Sequence, residues 1–221
     1  MDDLATLVRR ALRDHADPSI APGQQAYMKS AMPFLGVRVP EVRRLAKAAG
    51  RAHPPSDLAD LERTARTLWD GATHREERYA ATALIVLPVA RGRLELLPLY
   101  EHMAVTGAWW DHVDEVAHRV AALHDVHPDP TSATVRRWST SDDLWLRRLA
   151  ILGQLGRKDR VDLTLLADLI EPNVADTEFF IRKAIGWALR EAARVDPDWV
   201  RTFVEEHELS PLSRREALKH L

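Results

Sequence analysis

Residues 109–125 read WWDHVDEVAHRVAALHD. The aliphatic positions of this stretch recur at i, i+3, i+7 and i+10: Val113, Val116, Val120 and Leu123. That spacing places apolar side chains along one face of an α-helix. The stretch therefore predicts an amphipathic helix with a buried valine stripe, and Trp109, one turn earlier on the same side, is expected to pack in the core.

A second stripe of the same predicted helix carries chemically useful side chains. Its members are Trp110, Asp114, Ala117 and Ala121. A large ring and a carboxylate thus stand together above two small residues, an arrangement that suits a cleft. The alternatives are a packing anchor for Trp110 and, for Asp114, a solvated acid or the partner of a neighbouring arginine.

Two further stretches present cations at helical spacing. Within 142–156, DDLWLRRLAILGQLG, the only charges between 144 and 155 are Arg147 and Arg148. A helix so apolar has to provide a partner for each guanidinium. For Arg148 this is either a carboxylate, in a buried salt bridge, or a phosphate bound through two N–H groups.

The stretch 176–196, DTEFFIRKAIGWALREAARVD, carries a core stripe of Ile181, Ile185 and Ala188. A neighbouring stripe holds Lys183, Trp187, Arg190 and Arg194. An indole within a cationic stripe suits a polyanion, with the cations on phosphate and the ring against sugar or base. The alternative is a solvated cationic face, with Trp187 packed beneath the long stems of its neighbours.

Helical spacing extends along the whole chain, and alternating runs typical of strands are missing. We therefore predict an all-α protein of about a dozen short helices, with junctions at Pro128, Pro172, Pro197 and Pro211. No linker or low-complexity tract interrupts it, so residues 1–221 are expected to form one domain.

An Arg-x-Ala motif recurs every 33 to 36 residues once Asp114 is counted at the position it takes between two of the arginines. The arginines in this register are Arg9, Arg44, Arg78, Arg148, Arg182 and Arg215. The motif also occurs out of register, so chance is an alternative explanation. The interval favours an α-solenoid of HEAT-like helix pairs whose concave face binds the ligand. On that face a basic row is expected, with Asp114 biased toward its ionised form by the surrounding guanidinium groups.

Composition excludes several classes of protein. The 221 residues contain no cysteine, which excludes disulfides and thiolate zinc sites, and no apolar run approaches the length of a membrane span. We expect a soluble cytoplasmic protein without cofactor or metal, since His124 and His127 lack a third ligand on their helix. The net charge of −2 and the pI near 6.6, taken alone, argue against a nucleic-acid partner.

Six segments, in order, resemble the AlkD-type DNA alkylation repair family. They are YMKSAMPFLGVRVPEVR, LWDGATHREERYAA, TGAWWDHVDEVA, WSTSDDLWLRRLAIL, EFFIRKAIGWALRE and ELSPLSRREALKHL, and they extend from about residue 20 to the end. The resemblance implies a single HEAT-like solenoid that binds duplex DNA in its concave face. It also implies a monofunctional glycosylase that releases cationic N3- and N7-alkylated purines, such as 3-methyladenine and 7-methylguanine, while the base stays in the duplex.

The family's functional residues are carried over motif by motif. The resemblance implies that Trp110, Asp114 and Trp187 are catalytic, that Arg148 holds a backbone phosphate, and that Tyr27 contacts DNA. Asp114 is expected to stabilise positive charge on the deoxyribose and to orient water, while the two indoles pack against the sugar.

We also expect Lys183 and Arg190, from the cationic stripe, to bind DNA. With so low a net charge, acids have to lie mostly on the convex side, and the grip on DNA is expected to be weak and sensitive to salt. We expect a monomer. The alternatives are a DNA-structure-binding protein without glycosylase activity and a HEAT-type protein scaffold.

Overall fold

A computed structural model describes residues 3–221 of the chain. The regular elements of these residues are thirteen α-helices and four short 3-10 turns, and no β-strand occurs among them. The predicted all-α class is therefore confirmed. Contacts divide the chain into a first compact unit that ends at Arg91 and a second that spans Gly92–Leu221. The assignment of 1–221 to one domain stays a prediction.

The first unit contains α1 (Leu4–Asp14), α2 (Ala21–Met28), α3 (Val39–Ala52), α4 (Leu58–Asp70) and α5 (Arg75–Leu84). The second contains α6 (Leu97–Gly107), α7 (Trp110–His124), α8 (Pro128–Ser139), α9 (Leu144–Leu152), α10 (Leu163–Ile170), α11 (Phe179–Ala192), α12 (Pro197–Glu206) and α13 (Pro211–Ala217). Pro128, Pro197 and Pro211 are each the first residue of a helix, where the missing N–H of proline costs no hydrogen bond.

The first unit is organised around a buried carboxylate. Glu76 is fully buried, and its oxygens accept hydrogen bonds from the backbone N–H groups of Leu35, Gly36 and Val37 at 2.9 to 3.1 Å. At Gly36 the backbone has φ +90°, and a Cβ there would lie 1.9 Å from the carbonyl oxygen of Asp17. The loop between α2 and α3 is thus tied to α5, and only glycine fits at its tightest point.

In the second unit alternate helices stack side by side. α7 packs on α9, α9 on α11 and α11 on α13, while α8 packs on α10 in the other layer. This stacking of alternate helices fits the predicted α-solenoid, while the HEAT-like character of its helix pairs stays a prediction. The predicted core stripes are also confirmed, since Val113, Val116, Val120 and Leu123 on α7 and Ile181, Ile185 and Ala188 on α11 are all buried.

The Arg-x-Ala register coincides with the helix order, because its seven positions fall on the odd-numbered helices from α1 to α13. The arginines in it are not a row of free cations, however. Arg9 pairs with Glu77, Arg44 with Glu41, and Arg148 with Asp114. Within residues 3–221, no helix combines the length and the apolar character needed to cross a bilayer.

Candidate active site

A cleft of about 410 Å³ lies in the second unit, where α7, α9, α11 and α13 contribute side chains. The side chains that line it are Trp110, Asp114, Arg148, Phe179, Phe180, Lys183, Trp187, Arg190 and Glu216. Two indoles, two carboxylates and three cations therefore share one cavity.

Asp114 and Arg148 form a two-pronged ion pair at the inner end of the cleft. Nε and Nη2 of Arg148 donate to Oδ1 and Oδ2 of Asp114, each at 2.9 Å. The remaining terminal nitrogen, Nη1, donates to the carbonyl oxygen of Phe180 at 2.7 Å. Arg148 is only 4% exposed. The salt bridge, one of the two alternatives for Arg148, is thus present in the structure. Phosphate binding by this residue stays a prediction. Three of its five N–H groups are taken by these bonds, which leaves two that could reach a phosphate.

Burial decides the direction of the Asp114 pKa. Loss of solvent around the carboxyl raises its pKa above the ordinary value, against the opposing effect of the Arg148 guanidinium. The expected bias toward the ionised form, taken from the cations alone, is therefore wrong in direction because it left out burial. Both oxygens still accept N–H bonds from a cation, an arrangement that requires the carboxylate.

An aromatic cluster lies next to this pair and contacts Arg148 through Phe180. The rings of Trp109, Trp145 and Phe180 lie 5.0 to 6.1 Å apart, centroid to centroid. Phe180 also lies beneath the guanidinium, with the Cζ atom of Arg148 5.9 Å from the ring centroid. Trp109, which was expected in the core, is only half-buried and packs against neighbouring rings. Phe180 in the same cluster supplies the backbone carbonyl that Arg148 uses.

The cationic stripe of α11 meets a carboxylate that the sequence analysis did not single out. Glu216 on α13 accepts from Arg190 Nη1 at 2.6 Å, and its other oxygen lies 3.1 Å from Nζ of Lys183. Hydrogen bonds and charge from these two residues lower the pKa of Glu216. Lys183 and Arg190 are therefore paired cations of the cleft. Arg194, the last member of the predicted stripe, lies outside the cleft, is exposed and pairs with Glu191.

The structure brings six of the seven predicted site residues into the one cleft: Trp110, Asp114, Arg148, Lys183, Trp187 and Arg190. Tyr27 belongs to the first unit, where it lies on α2 and is 77% exposed. Sequence reasoning missed Phe179, Phe180 and Glu216. The aromatic pair that opens α11 was a visible signal, and the near-neutral charge of the chain pointed to counterions for the cations.

The fold is thus all-helical, with a carboxylate ion pair, two indoles and further cations in one cleft. Comparison with known proteins gives the family. The family model described as DNA alkylation repair enzyme matches residues 8–221, and the chain belongs to this family. Its function therefore lies in the repair of alkylation damage to DNA.

Solved structures agree with this assignment. A structure described as a predicted DNA alkylation repair enzyme from Enterococcus faecalis is 31% identical, with a TM-score of 0.85 over 93% of this chain and 96% of that one. The crystal structure of smu.31 from Streptococcus mutans UA159 is 17% identical, with a TM-score of 0.68 over 99% of this chain and 100% of that one, and indicates a shared fold. No curated protein matches the chain significantly.

Proposed function

We propose that the protein is a monofunctional DNA glycosylase that hydrolyses the N-glycosidic bond of cationic N3- and N7-alkylated purines in duplex DNA. The substrates are nucleotides such as 3-methyladenine and 7-methylguanine, and the products are the free base and an abasic site. Family membership supports the DNA substrate. The observation that carries the reaction is Asp114, a carboxylate held by Arg148 in the cleft that Trp110 and Trp187 also line.

The substrate itself explains why one reactive carboxylate suffices. An alkylated purine of this kind already carries a positive charge, so when the bond from C1′ to N9 breaks, the bonding pair moves onto the base and leaves it neutral. No general acid is needed, although most glycoside hydrolases use one. The second carboxylate of the cleft, Glu216, is ion-paired with two cations and has a lowered pKa, which makes it a poor proton donor.

Asp114 stabilises the oxocarbenium-like sugar and directs water. As the base departs, positive charge develops on C1′ and the ring oxygen, and a buried carboxylate is an effective partner for it. Water then forms a bond to C1′, and its proton passes to Asp114 and on to solvent. The raised pKa of Asp114 makes the carboxylate a better acceptor for that proton.

The other residues of the cleft position the substrate. The indoles of Trp110 and Trp187 present their π faces to the sugar, where their quadrupole favours positive charge. Arg148 orients Asp114 and offers its two unused N–H groups to the phosphate beside the lesion. Because these contacts are to sugar and phosphate, the reaction needs no enclosed pocket for a flipped base.

The test is Asp114→Asn, assayed by incubation with methylated duplex DNA and chromatographic detection of free bases. Loss of the carboxylate should reduce base release about 10²- to 10³-fold, or roughly 3 to 4 kcal/mol, while duplex binding persists. The matched control is Glu115→Gln, which makes the same change one residue further along α7 and outside the cleft.

Each outcome has a distinct meaning. If Asp114→Asn releases 7-methylguanine as fast as the parent, the mechanism is refuted. A parent that binds duplex DNA tightly but releases no base would instead favour the non-catalytic, DNA-structure-binding alternative.

A further inference from the structure

Glu216 bridges two cations that lie two helical turns apart. Lys183 and Arg190 are separated by seven residues on α11, and each is in contact with a different oxygen of the same carboxylate, at 3.1 and 2.6 Å. The Glu216 side chain is 17% exposed and lines the cleft between them. A single anion with two oxygens thus pairs with both basic residues of the stripe that face the cleft.

This bridge is built into the packing of two helices. At Gly186, midway between the cations, a Cβ would lie 2.5 Å from the Cβ of Glu216 and 2.9 Å from the carbonyl oxygen of Ser213. Only glycine lets α13 approach this closely, and that approach brings the carboxylate within reach of both cations. Ser213 fixes the same contact, since its Oγ donates to the carbonyl oxygen of Arg182 at 2.9 Å.

A phosphodiester has the same chemical features as this carboxylate, namely one negative charge shared by two unbridged oxygens. We propose that Glu216 is an internal competitor of DNA phosphate: in the free protein its carboxylate occupies a phosphate site formed by Lys183 and Arg190. Duplex DNA then binds there by replacing the carboxylate with a backbone phosphate. The inference rests on the proposed function, because it takes DNA as the ligand of the cleft.

Such a competitor weakens binding to all DNA equally, whether damaged or not. The cations gain a phosphate only by giving up a carboxylate, and the released carboxylate remains near the DNA, where it attracts a counterion. Both effects reduce the affinity and its dependence on salt. A protein that has to leave each undamaged site quickly benefits from this restraint.

The experiment measures the affinity of the full chain for a labelled, undamaged duplex by fluorescence anisotropy over a range of NaCl concentrations. Glu216→Gln keeps the shape of the side chain and removes its charge, and it should tighten binding roughly three- to tenfold. The plot of log K against log salt should steepen by about 0.9, the value of one phosphate contact. Glu191→Gln, which removes an acid that pairs with Arg194 on α11, controls for net charge alone.

A double-mutant cycle distinguishes competition from a purely structural role. In a Lys183→Gln/Arg190→Gln background the gain from Glu216→Gln should vanish, because the phosphate site is gone. If Glu216→Gln does not fold, Glu216→Asp replaces it: this carboxylate is one methylene too short to reach both cations and should give an intermediate gain.

Unchanged or weaker binding by the Glu216 variant, with an unchanged salt slope, overturns the inference. Base release by the parent is scored separately on methylated duplex, so a failed competitor with an active parent leaves the proposed function standing. A parent that binds no duplex DNA at all would overturn both.

Discussion

Replacing Arg148 with methionine tests whether the ion pair at the inner end of the cleft is the main task of this arginine. Methionine fills much of the same volume but removes the two N–H bonds to Asp114, at 2.9 Å each, and the 2.7 Å bond to the carbonyl of Phe180. The Asp114 side chain is only 15% exposed, so its charge is left mostly buried and without a partner.

The size of the effect follows from that burial. Removing one member of a buried ion pair costs about 3 to 5 kcal/mol, and the residual exposure of Asp114 places the expected loss in the free energy of unfolding near the lower value, about 3 kcal/mol at pH 7. Adding Asp114→Asn removes the isolated charge and should restore roughly 2 kcal/mol of that loss.

The pH dependence has a definite sign. Arg148 opposes the rise in the Asp114 pKa, so without it the folded-state pKa moves further above the unfolded-state value. Between these two values the folded state binds more protons, and its stability falls as the pH rises. The deficit of Arg148→Met relative to the parent should therefore be smaller at pH 4 than at pH 7.

The assay is urea denaturation of the parent, both single variants and the double variant at the two pH values, followed by circular dichroism. A loss below about 1 kcal/mol for Arg148→Met, with no recovery in the double variant, would refute the reasoning. The phosphate contact proposed for Arg148 is tested separately in the same variant, where the salt slope of DNA binding should fall by about one contact.

Two further predictions concern stability. Gly186→Ala should lower the free energy of unfolding by about 1 to 3 kcal/mol, because the new Cβ would lie 2.5 Å from Glu216 and 2.9 Å from Ser213. The control is Gly23→Ala, where a Cβ has nothing within 4 Å and should not lower the stability. Equal urea midpoints for the two variants would contradict this prediction. Burial of His124, with a further contribution from Arg157, lowers its pKa to about 4. Between pH 4 and 6.5 the unfolded state therefore binds more protons than the folded state. The free energy of unfolding should rise with pH in this range by up to about 1.4 kcal/mol per pH unit. His124→Asn should flatten that rise, and parallel pH profiles for parent and variant would show that the buried imidazole is not its source.

Helical periodicity was sufficient to predict the parts of the site that lie on single helices. The stripe of Trp110 and Asp114 on α7, and that of Lys183, Trp187 and Arg190 on α11, follow from spacing alone and do face one cleft. Local order of this kind is encoded within a few turns of chain, where i, i+4 and i+7 positions share a face whatever the helix packs against.

The contacts between helices could not be predicted in this way. The bridge from Glu216 depends on how closely α13 approaches α11, and that distance is set by the absent side chain of Gly186. The raised pKa of Asp114 depends on burial in the packed protein, in a cleft whose side chains come from four separate helices. Neither effect leaves a periodic trace in the sequence, because each is a property of a tertiary contact.

The pairing of cations with carboxylates also affects how one cleft can bind an anionic phosphate and a cationic sugar. Arg148, Lys183 and Arg190 face Asp114 and Glu216, so three positive and two negative side chains leave a net charge of +1 in the cleft. In the reaction proposed above, the phosphate is anionic, but the alkylated base and the sugar at the transition state are cationic. A cleft with three unpaired cations would hold phosphate strongly and repel developing positive charge at C1′, since like charges a few ångströms apart cost several kcal/mol when partly desolvated. Pairing Arg148 with Asp114, and the other two cations with Glu216, removes most of that excess positive charge from the cleft. Under the proposed mechanism, the carboxylates that limit affinity for DNA are also the ones that let the cleft tolerate a cation.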